Sequence, residues 1–307
     1  MNGGPETGLY VHIPFCLTKC AYCDFNSYAG LDDQFDGYVA ALAREIEQTG
    51  AAQIQTIYIG GGTPTVLPPS HVGRILDTAH SAFGLAPRAE VTIEANPGTV
   101  DADTLGALRA LGINRLSLGV QSFDPQELCL LGRIHSPEQA VAAIEAARQA
   151  GFENLSLDLI YGLPGQSLPA WLASLRRALT LEPDHLSLYA LSVEEGTPLS
   201  AAMARGELAV PDPDRAADMY ELAQEVLAGA GFVHYEISNW ARGREFVCRH
   251  NLIYWRNEPY LGMGAGAHSW LDGRRWSNVA RPEDYAARLL DGEPPKAVQE
   301  RIAPDLE

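Results

Sequence analysis

Short apolar runs alternate with longer amphipathic stretches over the first two thirds of the chain. The apolar runs predict six strands, at residues 9–13, 54–59, 90–95, 115–120, 154–160 and 185–191. Apolar positions at helical spacing predict five helices between them, at residues 35–48, 70–83, 102–111, 137–150 and 170–180. Repeated β-then-α units indicate parallel strands joined by crossover helices. Since the strands are apolar almost throughout, we expect both faces of the sheet to be covered.

Residues of chemical interest lie at or just after the ends of these strands and favour one architecture over another. They are Gly60, Gly61, Gly62, Thr63, Glu94, Gln121, Asp158 and Ser192. In a barrel the strand ends converge on one rim, whereas an open doubly wound sheet spreads them along a line. The sequence therefore predicts an α/β fold, a partial (β/α)6 barrel of the TIM type.

The pattern changes after Ser192. Residues 194–213 are rich in Pro and Gly and predict a long loop, followed by a helix at 215–228 and a strand at 232–237. Segment 248–276 is dense in Gly, aromatic residues and His, and 282–307 predicts the start of a helix and a polar tail. We therefore predict a core at 1–195 and a small C-terminal extension at 196–307.

Charge and composition exclude several classes of protein. The 307 residues include 22 Lys and Arg against 39 Asp and Glu, a net charge of −17. No nucleic acid partner is expected, because phosphates favour clustered basic side chains. The chain lacks the roughly 18-residue apolar run of a membrane span and the basic and apolar regions of a signal peptide. We expect a cytoplasmic protein.

Three of the five cysteines form a compact motif. Cys16, Cys20 and Cys23 have the spacing Cys-x3-Cys-x2-Cys and follow the first strand directly. In a reducing compartment such a group indicates a metal or redox site. A four-iron cluster usually has four thiolate ligands, so three leave one iron open. The alternatives are a zinc site with His12 as fourth ligand, or incidental cysteines. Cys129 lies on an apolar helical pattern and is predicted to be a buried structural thiol.

This motif resembles the signature of the radical S-adenosylmethionine superfamily. The resemblance implies a 4Fe-4S cluster held by Cys16, Cys20 and Cys23. S-Adenosylmethionine would bind the open iron through its amino and carboxylate groups, and one electron would cleave it to a 5′-deoxyadenosyl radical. The run of three glycines before Thr63 fits such a site, because glycine lets the backbone approach a ligand closely. Tight turns use the same residues, so this run alone is weak evidence.

Four further segments narrow the resemblance to the oxygen-independent coproporphyrinogen III oxidase group. They begin at Tyr10, Gly60, Gly119 and Asp158, and the likeness extends from about residue 9 to residue 270. It implies that the S-adenosylmethionine bound to the cluster contacts Tyr10, Gly61 and Glu94. It also implies that a second molecule of S-adenosylmethionine, as in the oxidases, would contact Tyr22, Gln121, Arg133, Asp158 and Ser192.

Each of these residues has a simpler structural interpretation. Acidic side chains such as Glu94 and Asp158 often cap helices. Gln121 is also compatible with closing a turn, and Arg133 with a surface ion pair to Glu127. Their shared position at strand ends favours ligand binding, because unrelated structural roles would not group them.

Two features separate this chain from the oxidases of the group. Those oxidases have a further cysteine two residues after the third, where this chain has Phe25. The run from Cys248 to Trp255 contains His-Asn-x-x-Tyr-Trp, similar to a motif of the haem chaperones in this family. That resemblance implies haem binding, delivery of haem to respiratory haem proteins and no demonstrated oxidase activity.

Segment 242–276 also has residue chemistry that suits a tetrapyrrole. His250 and Cys248 are candidate haem ligands, and His268 is a third. Four arginines stand against one acidic residue between 242 and 256, and arginine pairs well with propionates. Aromatic candidates for stacking on a macrocycle are Tyr254, Trp255, Tyr260 and Trp270. Aromatic residues at this spacing also occur in cores, and coproporphyrinogen carries propionates as well.

Two main hypotheses result. The first is a haem chaperone that binds haem, S-adenosylmethionine and a 4Fe-4S cluster, with an unidentified haem acceptor and electron donor. Contact with a membrane is expected only through that acceptor. The second is an oxygen-independent coproporphyrinogen III oxidase that forms protoporphyrinogen by oxidative decarboxylation. A third is a zinc-stabilised barrel of unrelated activity. Phe25 and the His-Asn-x-x-Tyr-Trp run favour the first. Relatives of this kind usually extend further at the C-terminus.

Overall fold

A twelve-stranded sheet forms the centre of the molecule. The computed structural model describes residues 7–50 and 52–302. Six parallel strands lie side by side in chain order: β1 (Thr7–Ile13), β2 (Gln53–Gly61), β3 (Gly84–Ala95), β4 (Arg115–Gln121), β5 (Leu155–Tyr161) and β6 (His185–Ala190). The predicted α/β core of six β/α units is confirmed.

Helices connect the parallel strands and cover their outer face. They are α1 (Phe35–Thr49), α2 (Pro69–Ala82), α3 (Ala102–Ala110), α4 (Pro125–Leu130), α5 (Pro137–Gln149) and α6 (Leu168–Thr180). Outward-facing strand residues such as Leu9, Ile57 and Leu157 are completely buried in the resulting core. Side-chain caps start several of these helices. Ser136 forms a capping box at α5, and Ser167 caps α6, each followed by a proline in the first turn.

The C-terminal extension adds strands to both edges of the same sheet. Its elements are α7 (Pro198–Ala204), α8 (Pro213–Gly229), β7 (Val233–Glu236), β8 (Asn239–Ala241), α9 (Arg249–Trp255), β9 (Tyr260–Met263), β10 (His268–Leu271), β11 (Arg274–Asn278), α10 (Pro282–Leu290) and β12 (Lys296–Arg301). β8 pairs antiparallel with β6, and β9 pairs parallel with β1. Strand pairing therefore joins the two predicted parts, and the boundary near residue 195 stays a prediction.

Helix α9 closes the amino-terminal end of the barrel. The Glu90 carboxylate on β3 accepts hydrogen bonds from the backbone N–H groups of Arg249 and His250, at 3.0 and 3.1 Å. Thr56 on β2 is hydrogen-bonded to the His250 ring at 2.7 Å. Both Glu90 and Thr56 face inward, so α9 lies inside the barrel and forms its floor.

The inward faces of the parallel strands are polar, and the prediction of strands apolar on both faces is wrong. Along β4, Arg115, Ser117 and Gln121 recur at alternate positions and line the interior, whereas Leu116 and Leu118 face the helices. This is the two-residue period of a strand with unlike faces.

Several shorter elements differ from the predictions. Helix α7 lies within the predicted loop 194–213, so that prediction is wrong there, and α4 was not predicted. Segment 248–276 contains α9, β9, β10 and the start of β11. Residues 303–307 of the predicted polar tail lie outside the described residues. None of the described helices combines the length and the hydropathy that a membrane crossing requires.

Candidate functional site

A cavity of about 430 Å³ opens at the carboxyl ends of the parallel strands. Its volume is in the range of small-molecule sites. It brings together most of the predicted site residues: Cys16, Cys20, Tyr22, Cys23, Gly61, Gly62, Thr63, Glu94, Gln121, Arg133, Asp158 and Ser192. These come from different strand ends and from the loop after β1, as expected for a barrel rim.

The three cysteines of the motif are free thiols on one side of the cavity. Cys16 Sγ is 3.7 Å from Thr63 Oγ1, and Cys23 Sγ is 3.8 Å from Ser27 Oγ. Burial raises the pKa of the Cys16 thiol, and the two neighbouring thiols raise it further. Positive charge or metal coordination would favour the thiolate forms.

Arg133 places a positive charge next to the cysteine motif. Its Nη1 donates to Cys20 Sγ at 3.3 Å and its Nη2 to the Gly119 carbonyl oxygen at 2.7 Å. The predicted alternative of an ion pair with Glu127 is wrong, because the Glu127 carboxylate accepts a hydrogen bond from Ser122 Oγ instead. Arg133 therefore connects the cysteine loop to the end of β4.

The glycines after β2 allow the chain to approach the cysteine loop. Gly61 has a φ of +117°, and a Cβ atom there would lie 2.6 Å from the His12 ring. A Cβ atom on Gly62 would lie 3.0 Å from Cys16 Sγ and 2.5 Å from the Phe15 carbonyl oxygen. Both positions therefore exclude larger residues. Gly60 does not line the cavity but packs against Glu94 and Tyr58.

Glu94 lies where β3 reaches the cavity. Its Oε1 accepts a hydrogen bond from Tyr58 Oη at 2.7 Å, and its Oε2 accepts one from the Gly61 N–H at 3.1 Å. Burial raises the pKa of its carboxyl group to about 7. The helix-cap alternative is wrong for Glu94, since Asn96 caps the short 3-10 helix that follows and Asp101 caps α3.

Asp158 on β5 lines the same cavity as Glu94. Its carboxylate accepts hydrogen bonds from Ser117 Oγ at 3.0 and 3.2 Å, and burial raises its pKa. Ser167 caps the next helix, so the helix-cap alternative is wrong for Asp158 as well. Two carboxyl groups at the centre of the site favour a ligand with a positively charged or hydrogen-bond-donating group.

Gln121 is held in an unusual backbone conformation. Its φ is +67°, a left-handed value that is uncommon for a residue other than glycine. Such values concentrate at functional sites. A Cβ atom on Gly119 would lie 2.9 Å from Gln121 Nε2, so that glycine makes space for the amide. Tyr22 and the exposed Ser192 complete this side of the cavity.

The interior also contains residues that the sequence analysis missed. Tyr58 holds Glu94, Ser117 holds Asp158, and Asn251 of α9 lines the cavity from the floor. Arg115 is 2% exposed and also lines the cavity. Its Nε has no hydrogen bond to any residue that the structure describes. The polar residues at every second position of β4 are the signal that identifies Arg115 and Ser117.

Both nitrogens of His12 are engaged away from the cysteines. A carbonyl oxygen only accepts, so Nε2–H donates to the Asn26 carbonyl at 2.8 Å and Nδ1 accepts from Tyr10 Oη at 2.9 Å. Neither nitrogen is available as the fourth ligand of a zinc ion in this arrangement. Among the described residues, no three His, Cys, Asp or Glu side chains converge on a single-ion site.

The two leading haem-ligand candidates lie inside the barrel floor. His250 is 1% exposed, and its nitrogens are hydrogen-bonded to Thr56 Oγ1 at 2.7 Å and Tyr254 Oη at 2.9 Å. Cys248 is completely buried near Glu90, and burial raises its thiol pKa to about 12. Ligation of haem by either residue stays a prediction, and it would require α9 to leave the floor.

Other candidates from the same segment lie on several surfaces. None of the four arginines of residues 242–256 lines the cavity. Arg242 instead lies over the Phe232 ring, and Trp270 is largely buried. Tyr254 and Trp255 are 42% and 55% exposed. Cys129 is exposed on α4, so the prediction of a buried structural thiol is wrong.

Comparison with known proteins agrees with this geometry. A model of the Radical SAM superfamily matches residues 10–178. Heme chaperone HemW of Mycobacterium tuberculosis is 44% identical over 98% of this chain and 79% of its own length. Heme chaperone HemW of Synechocystis is 47% identical over 93% of this chain and 72% of its own length. The chain therefore belongs to the radical S-adenosylmethionine superfamily and, within it, to the HemW family.

A solved structure is also similar over almost the whole chain. It is coproporphyrinogen III oxidase (HemN) from Escherichia coli, described as a radical SAM enzyme, with a TM-score of 0.85 and 27% identity. The match covers 97% of this chain and 72% of that one. The barrel and both strand additions of the extension thus have a counterpart in an experimental structure.

Superfamily membership implies a 4Fe-4S cluster and S-adenosylmethionine. The residues fit both groups, because three free thiols, close-approaching glycine backbone and two buried carboxyl groups line one cavity.

Proposed function

We propose that this protein is a haem chaperone that binds haem beside a 4Fe-4S cluster and passes the haem to acceptor proteins. The observation that carries the proposal is the 42–47% identity to HemW relatives over at least 90% of the chain, each named as a heme chaperone. Phe25 supports it, because the oxidases of the group carry a cysteine at that position and Phe25 offers no ligand.

The chain's own residues divide into three groups in this proposal. Cys16, Cys20 and Cys23 hold the cluster, which supplies one electron to bound S-adenosylmethionine when reduced. Tyr10, the Gly60–Gly61–Gly62 backbone, Thr63 and Glu94 hold the S-adenosylmethionine. The remaining cavity residues, Tyr22, Gln121, Arg133, Asp158 and Ser192, surround the ligand space next to it. The proposal also requires a haem-accepting protein and an electron donor, both unidentified.

Coproporphyrinogen III oxidase is the second candidate function. The structural likeness to that enzyme over 97% of the chain favours it. So do Gln121, Arg133, Asp158 and Ser192, which line the same cavity as the cysteines. The two functions differ in the fate of the tetrapyrrole, since a chaperone keeps it intact and an oxidase converts two propionates to vinyl groups.

An anaerobic assay separates the two functions. The cluster-loaded protein is supplied with coproporphyrinogen III, S-adenosylmethionine and a reductant, and a second sample is supplied with haem. We expect a Soret band from bound haem and no protoporphyrinogen. Turnover of coproporphyrinogen without stable haem binding would contradict the chaperone proposal.

Iron and sulfide analysis tests the cluster assignment in the same preparation. We expect Cys20→Ala to lose the iron and the sulfide, whereas Cys129→Ala, with its exposed thiol on α4, retains both. Zinc in place of iron and sulfide would support the unrelated zinc barrel.

A further inference from the structure

A buried arginine at the base of the cavity has no role in either candidate function. Arg115 on β4 is 2% exposed, yet it lines the cavity. Its Nε has no hydrogen bond to any residue that the structure describes. No ion pair joins it to a carboxylate within residues 7–50 and 52–302. Such a cation is costly, because the protein must replace the water that would otherwise solvate it.

Strand register places Arg115 one layer below Glu94. Thr92 on β3 is directly opposite Arg115, and Tyr58 on β2 is opposite Thr92. Glu94 follows Thr92 by two residues, so it lies on the same inward face but nearer the rim. Arg115 and Thr92 therefore lie between the rim of the cavity and its floor, which is helix α9.

Thr92 is a second polar residue without a partner in this layer. It is completely buried, and its Oγ1 has no hydrogen bond to any other residue among those described. Folded proteins satisfy the large majority of their buried polar groups. Two unsatisfied groups on neighbouring strands, both directed into one interior, indicate a ligand that contacts both.

The nearby carboxylates are bonded to other groups. Glu90 accepts hydrogen bonds from two backbone N–H groups of α9, at 3.0 and 3.1 Å. Glu94 accepts one from the Gly61 N–H at 3.1 Å, and Asp158 accepts from Ser117 Oγ at 3.0 and 3.2 Å. An anionic contact partner for the guanidinium would therefore enter from the cavity. Because these carboxylates repel negative charge, a monovalent anion suits the position better than phosphate does.

We propose that Arg115 and Thr92 form an anion subsite at the base of the cavity, which takes a carboxylate group. A guanidinium offers two parallel N–H donors to a carboxylate, and the Thr92 hydroxyl adds a third donor. The carboxylate belongs either to a small free anion or to a larger ligand in the cavity above. The subsite does not depend on the choice between chaperone and oxidase, since neither function assigns a role to these two residues.

Formate, the smallest carboxylate, is the probe. Thermal unfolding of the cluster-loaded full chain is followed anaerobically while formate replaces a bulky sulfonate at constant ionic strength. We expect formate to raise the wild-type midpoint saturably, because it binds only the folded protein. Arg115→Met should bind formate at least about tenfold more weakly. Arg148→Met is the matched control, because Arg148 pairs with Asp184 outside the cavity, and it should keep the wild-type affinity for formate.

Formate-free buffer separates a binding role of Arg115 from a structural one. The buried guanidinium then has no contact partner, so Arg115→Met should unfold at or above the wild-type midpoint. Arg148→Met should unfold at a lower temperature in every buffer, because Asp184 loses its ion pair of 2.8 Å. Thr92→Val keeps the charge of Arg115 and should weaken formate binding about threefold. This variant tests the subsite even where Arg115→Met fails to fold.

Two results would overturn the proposal: no saturable effect of formate on the wild type, or an equal effect in Arg115→Met and Thr92→Val. A second titration at saturating S-adenosylmethionine identifies the source of the carboxylate. An unchanged response to formate would assign the subsite to a free anion. A response that disappears would show that the carboxylate of the larger ligand occupies it.

Discussion

Glu94 has two roles in the candidate site. It holds the glycine turn through the Gly61 N–H, and it borders the cavity in which a ligand is expected. Burial raises the pKa of its carboxyl group from 4.5 to about 7. Such shifts are frequent where a protein binds or moves charge.

The raised pKa of Glu94 predicts a pH-dependent stability. Between about pH 4.5 and 7 the folded protein retains a proton that the unfolded chain releases, so stability falls as the pH rises through this range. The open cavity screens part of the effect, and we expect a loss of about 2 kcal/mol. Urea unfolding of the cluster-free protein at several pH values measures it.

Glu94→Gln is the variant that isolates this effect. Its amide cannot ionise, so its free energy of unfolding should change less between pH 5 and 7.5 than that of the wild type. Parallel pH profiles for the two proteins would show that another group is responsible.

The position of Arg133 predicts an effect on the reduction potential of the cluster. Its hydrogen bond to Cys20 Sγ and its positive charge both stabilise the more negative, reduced state. We expect Arg133→Gln to lower the reduction potential in a titration followed by electron paramagnetic resonance. Arg109→Gln on α3, which removes only a hydrogen bond to the Gly151 carbonyl, is the control. Equal potentials for Arg133→Gln and wild type would contradict the prediction.

At the level of elements, the buried Glu45 of α1 bonds to three parts of the extension. Glu45 accepts hydrogen bonds from the Gly264 N–H at 2.8 Å, Asn278 Nδ2 at 2.6 Å and Tyr285 Oη at 2.6 Å. These three donors come from the β9–β10 connection, β11 and α10. The contact therefore fixes the C-terminal extension against the core.

Removing this carboxylate should destabilise the protein strongly. Glu45→Ala leaves three buried donors unsatisfied, and we expect it to cost about 3 kcal/mol of unfolding free energy. Glu47→Ala on the exposed side of the same helix should change stability by less than about 0.5 kcal/mol. Chemical denaturation of both variants checks the difference. A similar cost at both positions would contradict the role of the buried contact, because alanine is itself a strong helix former.

The main strands and helices were predictable because each has a local signal. Apolar runs marked β1 to β6, and helical periodicity marked α1, α2, α3, α5 and α6. The missed helix α7 begins with a cap signal, since Thr197 precedes Pro198 at its first turn. The seven residues of α7 are too few to show a clear apolar period.

The candidate site was predictable where its residues lie on one loop or at the ends of the predicted strands. Cys16, Cys20 and Cys23 lie on a single loop, so their spacing was informative. Arg115 and Asn251 line the same cavity only because α9 enters the barrel, and their segments are far apart in the chain. The burial of His250 has the same origin, which is why sequence alone favoured it as a haem ligand.

At the scale of the whole molecule, the C-terminal extension helps to line two neighbouring concavities. Helix α9 provides the floor of the cavity, and β9 and the start of β10 line a second concavity of about 420 Å³ beside it. Because Phe25, Gly61 and Glu94 line both spaces, a ligand bound in either one contacts side chains of the other. Binding in one space should therefore be detectable in the other.

An anaerobic haem titration of the cluster-loaded protein tests the chaperone proposal most directly. Soret absorbance reports haem, and electron paramagnetic resonance reports the reduced cluster. We predict saturation at one haem per chain, with a change in the cluster spectrum that is complete at the same point. Haem uptake without saturation, or no uptake, would contradict the proposal.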